Sequence, residues 1–337
     1  MFNLTQSSKL LLKNNSFFKK KKVIFSGNIQ DKIASYIETI STKIFTHMYD
    51  TYKILSNIKE NQVFYSLFPN KKIILEHDSL IYFWPKNKSE ANFQLQYLLS
   101  IFKKKSHIFI VGENNSGVKS AVLILENWIK LKKIDTAKHS ILFYGILHEK
   151  TYFKLENYFN NHTLNYLKIK TLPGVFGHKK IDTGSKLLIS TFNKEIKGNI
   201  LDLGTGSGII SMSLADISKK TSLTLTDINL TALLSCKINL LNNKIQGKVY
   251  SSDLYSNIDK RFNMIICNPP IHRDLKLSLI ITTNMIKESI NYLTPRGELR
   301  IVTNTFLSYK KILDKTFHKH VILKKNNHFK VYQAKLN

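Results

Sequence analysis

Three short stretches of this chain carry residue types and spacings that can do chemistry. Asn268-Pro269-Pro270 ends the apolar run Met264-Ile-Ile-Cys267. An exocyclic amine conjugated to an aromatic ring is a poor nucleophile, because its lone pair is delocalised. The Asn268 side-chain oxygen and the Pro269 carbonyl are two acceptors that can hold the two hydrogens of such an amine. That grip aims the lone pair at an electrophile and stabilises positive charge as it develops on nitrogen. The prolines fix the backbone, so the carbonyl is aimed in advance. Upstream, Ile200-Leu-Asp-Leu-Gly-Thr-Gly-Ser-Gly208 runs an apolar strand into a turn with glycine at Gly204, Gly206 and Gly208. Alternate glycines let the backbone bend sharply and approach a ligand, with a helix N-terminus behind it. Between the two, Thr224-Leu-Thr-Asp227 ends a strand in an acid suited to ribose hydroxyls. Each signal alone has a plainer reading: a strand–helix turn, a helix cap at Asp227, a proline-stopped strand as at Pro85.

Together and in this order, the glycine turn, acid and Asn-Pro-Pro resemble the amino-methylating class of S-adenosylmethionine-dependent methyltransferases. Such a donor carries a sulfonium, an amino-acid head, a ribose and an adenine. Asp202 is placed to accept from the ammonium head, directly or through water. Asp227 is placed for the ribose, and Asp253 for the adenine amino group, unless Asp253 is a turn residue. Phe176, Asp182 and Gly184, in the segment before the first strand of this half, are candidates to line the same site. Ile271 stands where an aromatic usually follows the prolines and stacks on the target base; His272 and Arg273 come next and can reach base or phosphates. Sulfonium is a good leaving group, so no strong base, metal or nucleophile is required, and none of the eleven histidines has a metal-ligand spacing.

The elements that position these residues read as strands and helices in alternation. Met264 to Pro270 is a strand stopped by proline, followed by a helix (Thr282 to Tyr292) and a strand (Glu298 to Asn304). Leu80 to Pro85, a helix (Glu90 to Phe102) and Ile108 to Val111 repeat that order, which implies a duplicated domain. The first copy has Trp84-Pro85 in place of Asn268-Pro269-Pro270, has no glycine turn ahead of it, and reads as degenerate. Short strands are expected at Val23–Phe25 and Val63–Phe68, with helix around Ile33 to Ile54 and another helix running to about Leu131. Ile134 to Ile200 reads as a joining segment containing a strand at Ile141–Tyr144. Val321 to Leu323 and Phe329 to Gln333 read as a closing antiparallel hairpin. Gly112-x4-Gly117-Val-Lys119-Ser120 is one residue off a P-loop, since Val118 displaces the lysine, and reads as a plain strand–turn–helix connection.

The 337 residues leave room for two domains, placed at 1–165 and 166–337. Hydrophobic content is 43%, no apolar run approaches the ~18 residues of a membrane span, and the N-terminus lacks the pattern of a secretory signal. Cys236 and Cys267 are the only cysteines, too few for a disulfide framework, so a cytoplasmic protein is expected. A net charge of +28 points to a polyanionic partner, although lysine abundance also follows from AT-rich coding. Only four basic residues are arginine, Arg261, Arg273, Arg296 and Arg300, and their clustering suggests phosphate contact.

At family level the match tightens. Leu80 to Glu90, Val111 to Lys119, Thr171-Leu-Pro-Gly-Val-Phe176 and Gly297-Glu-Leu-Arg-Ile-Val302 resemble the 16S rRNA guanine-N2 methyltransferase family, ribosomal RNA small subunit methyltransferase C, over nearly the whole chain. The resemblance implies an α/β fold of two tandem Rossmann-like class I methyltransferase domains. The C-terminal one would be a seven-stranded, mostly parallel sheet with an antiparallel terminal hairpin. It implies that Asn268 and Pro269, with Pro270, hold a guanine amine of 16S rRNA in the 30S subunit. Asp202, Gly204, Gly206, Gly208, Asp227 and Asp253 would hold S-adenosylmethionine, with a monomeric protein and an N-terminal domain that supports folding and RNA docking. Two alternatives stay open: another planar amine (adenine N6 or a protein glutamine amide), and a non-catalytic rRNA-binding assembly factor.

Overall fold

A computed structural model describes residues 4–57, 62–270 and 275–337. The chain divides into two compact units, Met1–Tyr158 and Phe159–Asn337.

The first unit holds strands β1 (Lys22–Gly27), β2 (Ser41–Thr46), β3 (Val63–Tyr65), β4 (Ser79–Phe83), β5 (His107–Glu113), β6 (Lys132–Ala137) and β7 (Ser140–Ile146). They form one sheet in the order β3-β2-β1-β4-β5-β7-β6, parallel except for β7, which pairs antiparallel with both β5 and β6. The second unit opens with a two-stranded hairpin, β8 (Asn160–Leu164) and β9 (Leu167–Thr171). Its main sheet holds β10 (Gly198–Leu203), β11 (Thr221–Asp227), β12 (Gly247–Ser251), β13 (Phe262–Cys267), β14 (Leu293–Asn304), β15 (His320–Lys325) and β16 (Phe329–Lys335). Its order, β12-β11-β10-β13-β14-β16-β15, repeats that of the first sheet strand for strand. The α/β class, the tandem architecture and the closing antiparallel hairpin follow the expectation.

Three local readings are corrected. The stretch around Ile33 to Ile54 is not one helix: β2 sits inside it, between a 3-10 turn at Ile33–Ser35 and a helix at Tyr49–Ser56. Thr42, Ile44, Phe45 and Thr46 are buried between parallel neighbours, so tertiary pairing overrides the local apolar spacing. The expected helix to Leu131 shrinks to Ala121–Leu125, and β6 and β7 complete the first sheet instead of joining the halves. The expected boundary after residue 165 falls inside the β8–β9 hairpin, which belongs wholly to the second unit. There Asn239 pairs with both backbone groups of Lys170, and Asn243 does the same for Lys168.

Each central strand is buried on both faces, which its unbroken apolar runs require. In the second unit, Ile200, Leu223, Met264 and Ile266 pack into one core. Leu201, Leu203, Ile265 and Cys267 fill the other. Period-two alternation thus sends neighbouring residues to opposite helical layers.

Candidate active site

Strand register brings the chemical residues together. β10 pairs with β13 so that Leu203 lies beside Cys267, and with β11 so that Leu203 lies beside Thr226; β11 in turn places Asp227 beside Ser251 of β12. The residues that follow, Gly204, Asp227, Ser252 and Asn268, therefore emerge side by side at the carboxyl edge of the parallel sheet. Loops at that edge form the natural ligand crevice of such folds.

Gly204, Gly206 and Gly208 have φ of +75°, +57° and +81°, values an L side chain resists. They then divide. A Cβ at Gly204 or Gly206 would meet nothing within 4 Å, so this side of the turn is open to a ligand. A Cβ at Gly208 would lie 2.8 Å from Cys236 Sγ, so this glycine serves helix packing, as the cap of Ile209–Ile217. In the first unit, Gly27 ends β1 beside Phe83, the register place of Leu203, and a Cβ on it would run into the Phe83 carbonyl oxygen. Buried Trp84 stands there where the second unit has Asn268.

The acids hold the turn as well as face it. Asp202 is 1% exposed; its Oδ2 accepts from Thr205 Oγ1 at 2.8 Å and Ser211 Oγ at 2.6 Å. Its Oδ1 is buried with no partner among the described residues. Burial raises the Asp202 carboxyl to about 6, against the lowering pull of Ser211 and Thr205, and nearby Asp227 adds to the rise. A buried, half-satisfied carboxylate is a socket for a cationic donor. Asp227 Oδ2 accepts from the Gly206 amide at 2.9 Å and Oδ1 from the Asn229 amide at 3.0 Å. Asn229, not Asp227, caps the following helix. Asp253 opens a turn closed by Ser256, one strand further along.

Asp182 caps the helix Thr183–Ile189 by accepting from the Ser185 amide at 2.7 Å. The same Oδ2 accepts from Asn268 Nδ2 at 3.0 Å, and Ser185 Oγ lies 2.9 Å from that Nδ2. Gly184 belongs to packing: a Cβ there would meet Asp182 Oδ2 and the Phe329 ring at 3.0 Å. Phe176 is 46% exposed in the turn after β9, Pro269 is buried and Pro270 exposed. Ile271, His272 and Arg273 lie outside the described residues. Sequence reasoning missed Ser185, Thr205 and Ser211; the Asp-x-x-Ser pattern at Asp182, a helix-capping spacing, is the one signal that marked Ser185.

The arginine expectation is corrected at one position. Arg300 is 5% exposed, with its guanidinium 2.6 Å from Glu298 and donating to the Thr191 carbonyl at 2.8 Å, so it serves the core and not a phosphate. Cys236 and Cys267 are buried and their thiols pushed up by desolvation, which leaves them unreactive. Among the described residues, no group of three or more His, Cys, Asp or Glu has a metal-holding arrangement.

The family model Methyltransferase small domain matches residues 166–333, and Methyltransferase small domain N-terminal matches residues 8–162. A ribosomal RNA small subunit methyltransferase C from Buchnera aphidicola subsp. Schizaphis graminum is 50% identical over 330 residues, 98% of each chain. The chain belongs to the ribosomal RNA small subunit methyltransferase C family. The family relative from Erwinia tasmaniensis is 41% identical, over 98% of this chain and 96% of that protein. Among solved structures, the T. thermophilus 16S rRNA N2 methyltransferase in complex with AdoMet and guanosine superposes with a TM-score of 0.82. The match covers 99% of this chain and 92% of that one at 17% identity, and so speaks for the shared fold. Within this family membership, the open glycine turn, the orphaned Asp202 Oδ1 and the acid at Asp227 fit S-adenosylmethionine.

Proposed function

We propose that this family member transfers a methyl group from S-adenosylmethionine to the exocyclic N2 of a guanine in 16S rRNA, acting as a cytoplasmic monomer. One observation carries the reading: the Leu203–Cys267 register sets the open glycine turn directly beside Asn268. Donor site and amine acceptors are then one sheet spacing apart, about 5 Å. No helix among the described residues is long and apolar enough to cross a membrane.

The donor, when bound, supplies an electrophilic methyl on a good leaving group. The chain does the rest by placement. Asp202 receives the ammonium head, the Gly204 and Gly206 backbone lies along the donor, and Asp227 and Asp253 take the ribose and adenine. Asn268 Oδ1 and the Pro269 carbonyl accept the two hydrogens of the guanine amine, which turns its lone pair toward the methyl group and offsets the charge that builds on nitrogen. As the N–C bond forms the S–C bond breaks, and the methylated amine then releases one proton to water. The first unit binds no donor and supports folding and RNA docking.

The test is methyl transfer from labelled S-adenosylmethionine to undermodified 30S subunits and to free 16S rRNA, with nucleoside digestion. Label in N2-methylguanosine supports the reading. Label in N6-methyladenosine or in protein reassigns the acceptor. Absence of both label and donor binding reduces the protein to an rRNA-binding factor.

A further inference from the structure

We infer that Asp182 and Ser185 are positioning residues that lock the Asn268 side chain as an acceptor for the target amine. The inference rests on the assignment of Asn268 above and deepens it. Asn268 Nδ2 carries two hydrogens, and two acceptors meet it: Asp182 Oδ2 at 3.0 Å and Ser185 Oγ at 2.9 Å. Neither is a neighbour in sequence, at 86 and 83 positions away. A carboxamide can turn over, exchanging its oxygen and nitrogen. Here the turned form would press Oδ1 against a carboxylate oxygen, two acceptors with no proton between them, so the chemistry of the partners dictates the orientation. With Nδ2 committed, Oδ1 is the atom left to accept from a substrate.

The device is rigid for a reason legible in its own bonds. Asp182 Oδ2 also takes the Ser185 amide at 2.7 Å, so one oxygen fastens the helix start and the Asn268 side chain together. Gly184 lets Phe329 approach to the contact distance a Cβ would obstruct, which holds that helix start against β16. A charged acceptor also polarises the amide, which makes Oδ1 a stronger acceptor for an amine gaining positive charge. Positioning partners of this kind are worth about 10- to 100-fold when removed.

Three variants separate positioning from folding. Ser185→Ala keeps the backbone amide that Asp182 caps and removes only the hydroxyl; kcat falls about 10-fold with the donor Kd, the RNA KM and the melting temperature unchanged. Asp182→Ser retains a capping oxygen that is too short to reach Asn268; kcat falls about 100-fold with donor binding retained. Asn268→Asp sets two carboxylates together and is inactive, and combining it with Asp182→Asn restores an amide–carboxylate pair and recovers at least about 10-fold of the loss. In an Asn268→Ala background, Ser185→Ala changes nothing further. Full activity of both Ser185→Ala and Asp182→Ser, while Asn268→Ala loses about 10²- to 10³-fold in kcat, overturns the inference. So does an additive loss in the Ser185→Ala, Asn268→Ala double variant, which would mark a structural role. An active Asn268→Ala protein instead removes the assignment of Asn268 on which the inference stands.

Discussion

The Gly206 amide donates to Asp227 Oδ2 at 2.9 Å, tying the middle of the glycine turn to the end of the neighbouring strand across 21 residues. Asp227 thereby builds the turn that, in the proposed function, it shares with the donor's ribose. Asp227→Ala should weaken binding of S-adenosylhomocysteine by about 10- to 100-fold, the worth of hydrogen bonds to a charged group, as read by titration calorimetry. Unaltered affinity would remove Asp227 from the donor site.

Asn268→Ala takes away one of the two proposed amine acceptors and leaves the glycine turn intact. We expect kcat to drop about 10²- to 10³-fold, as for loss of a preorganised polar contact to developing charge. Donor affinity and RNA affinity should stay within about twofold of the parent protein, because neither the turn nor the basic surface is touched.

The glycines of the turn should fail in different ways. Gly204→Ala puts a methyl group into open space and should act on donor affinity, apart from the backbone strain of a positive φ. Gly208→Ala drives a methyl group against Cys236 Sγ and should cost about 1–3 kcal/mol of stability in urea unfolding. Equal behaviour of the two variants would contradict this division.

Asp202 gives the site a pH dependence of definite sign. Its carboxyl is raised to about 6 by burial, so the folded protein holds that proton more tightly than the unfolded chain. Its contribution to stability is therefore most favourable at low pH, declines as pH rises from about 4 to about 6, and is level above that. A cationic donor head favours the ionised form. Donor affinity should accordingly weaken as pH falls below about 6, and Asp202→Asn should flatten that profile in calorimetry from about pH 5 to about pH 8.

Arg300→Ala should behave as a core mutation. It removes the guanidinium that Glu298 and the Thr191 carbonyl share, leaving Glu298 with Gln333, and a broken buried pair costs about 3–5 kcal/mol. The salt dependence of RNA binding should not change, since no phosphate contact is lost.

The sequence by itself determined the sheet and the order of its functional ends. Ile200 to Leu203 and Met264 to Cys267 are apolar on both faces, which only a central parallel strand tolerates, and Gly204, Asp227 and Asn268 each stand where such a strand stops. It also implied the duplication, because strand, proline and helix recur in register along the chain. What it could not determine was partnership. Ser41 to Thr46 holds strand-favouring Thr, Ile and Phe, but only Ile44 and Phe45 are apolar, too few to set a period until a neighbour pairs with them. Nothing local distinguished Gly208, which packs on Cys236, from Gly204, which faces open space. Arg300 has the residue type of a phosphate contact, but the fold buries it against Glu298 and the Thr191 carbonyl, which no local pattern shows. Asp182 read as a lining residue, whereas the fold brings it to the Asn268 amide across 86 positions. Strand identity depends on short-range pattern, and the chain carries that pattern itself. The direction a side chain faces, and the atom it meets, depend on which distant segments close around it, and only the tertiary structure decides that.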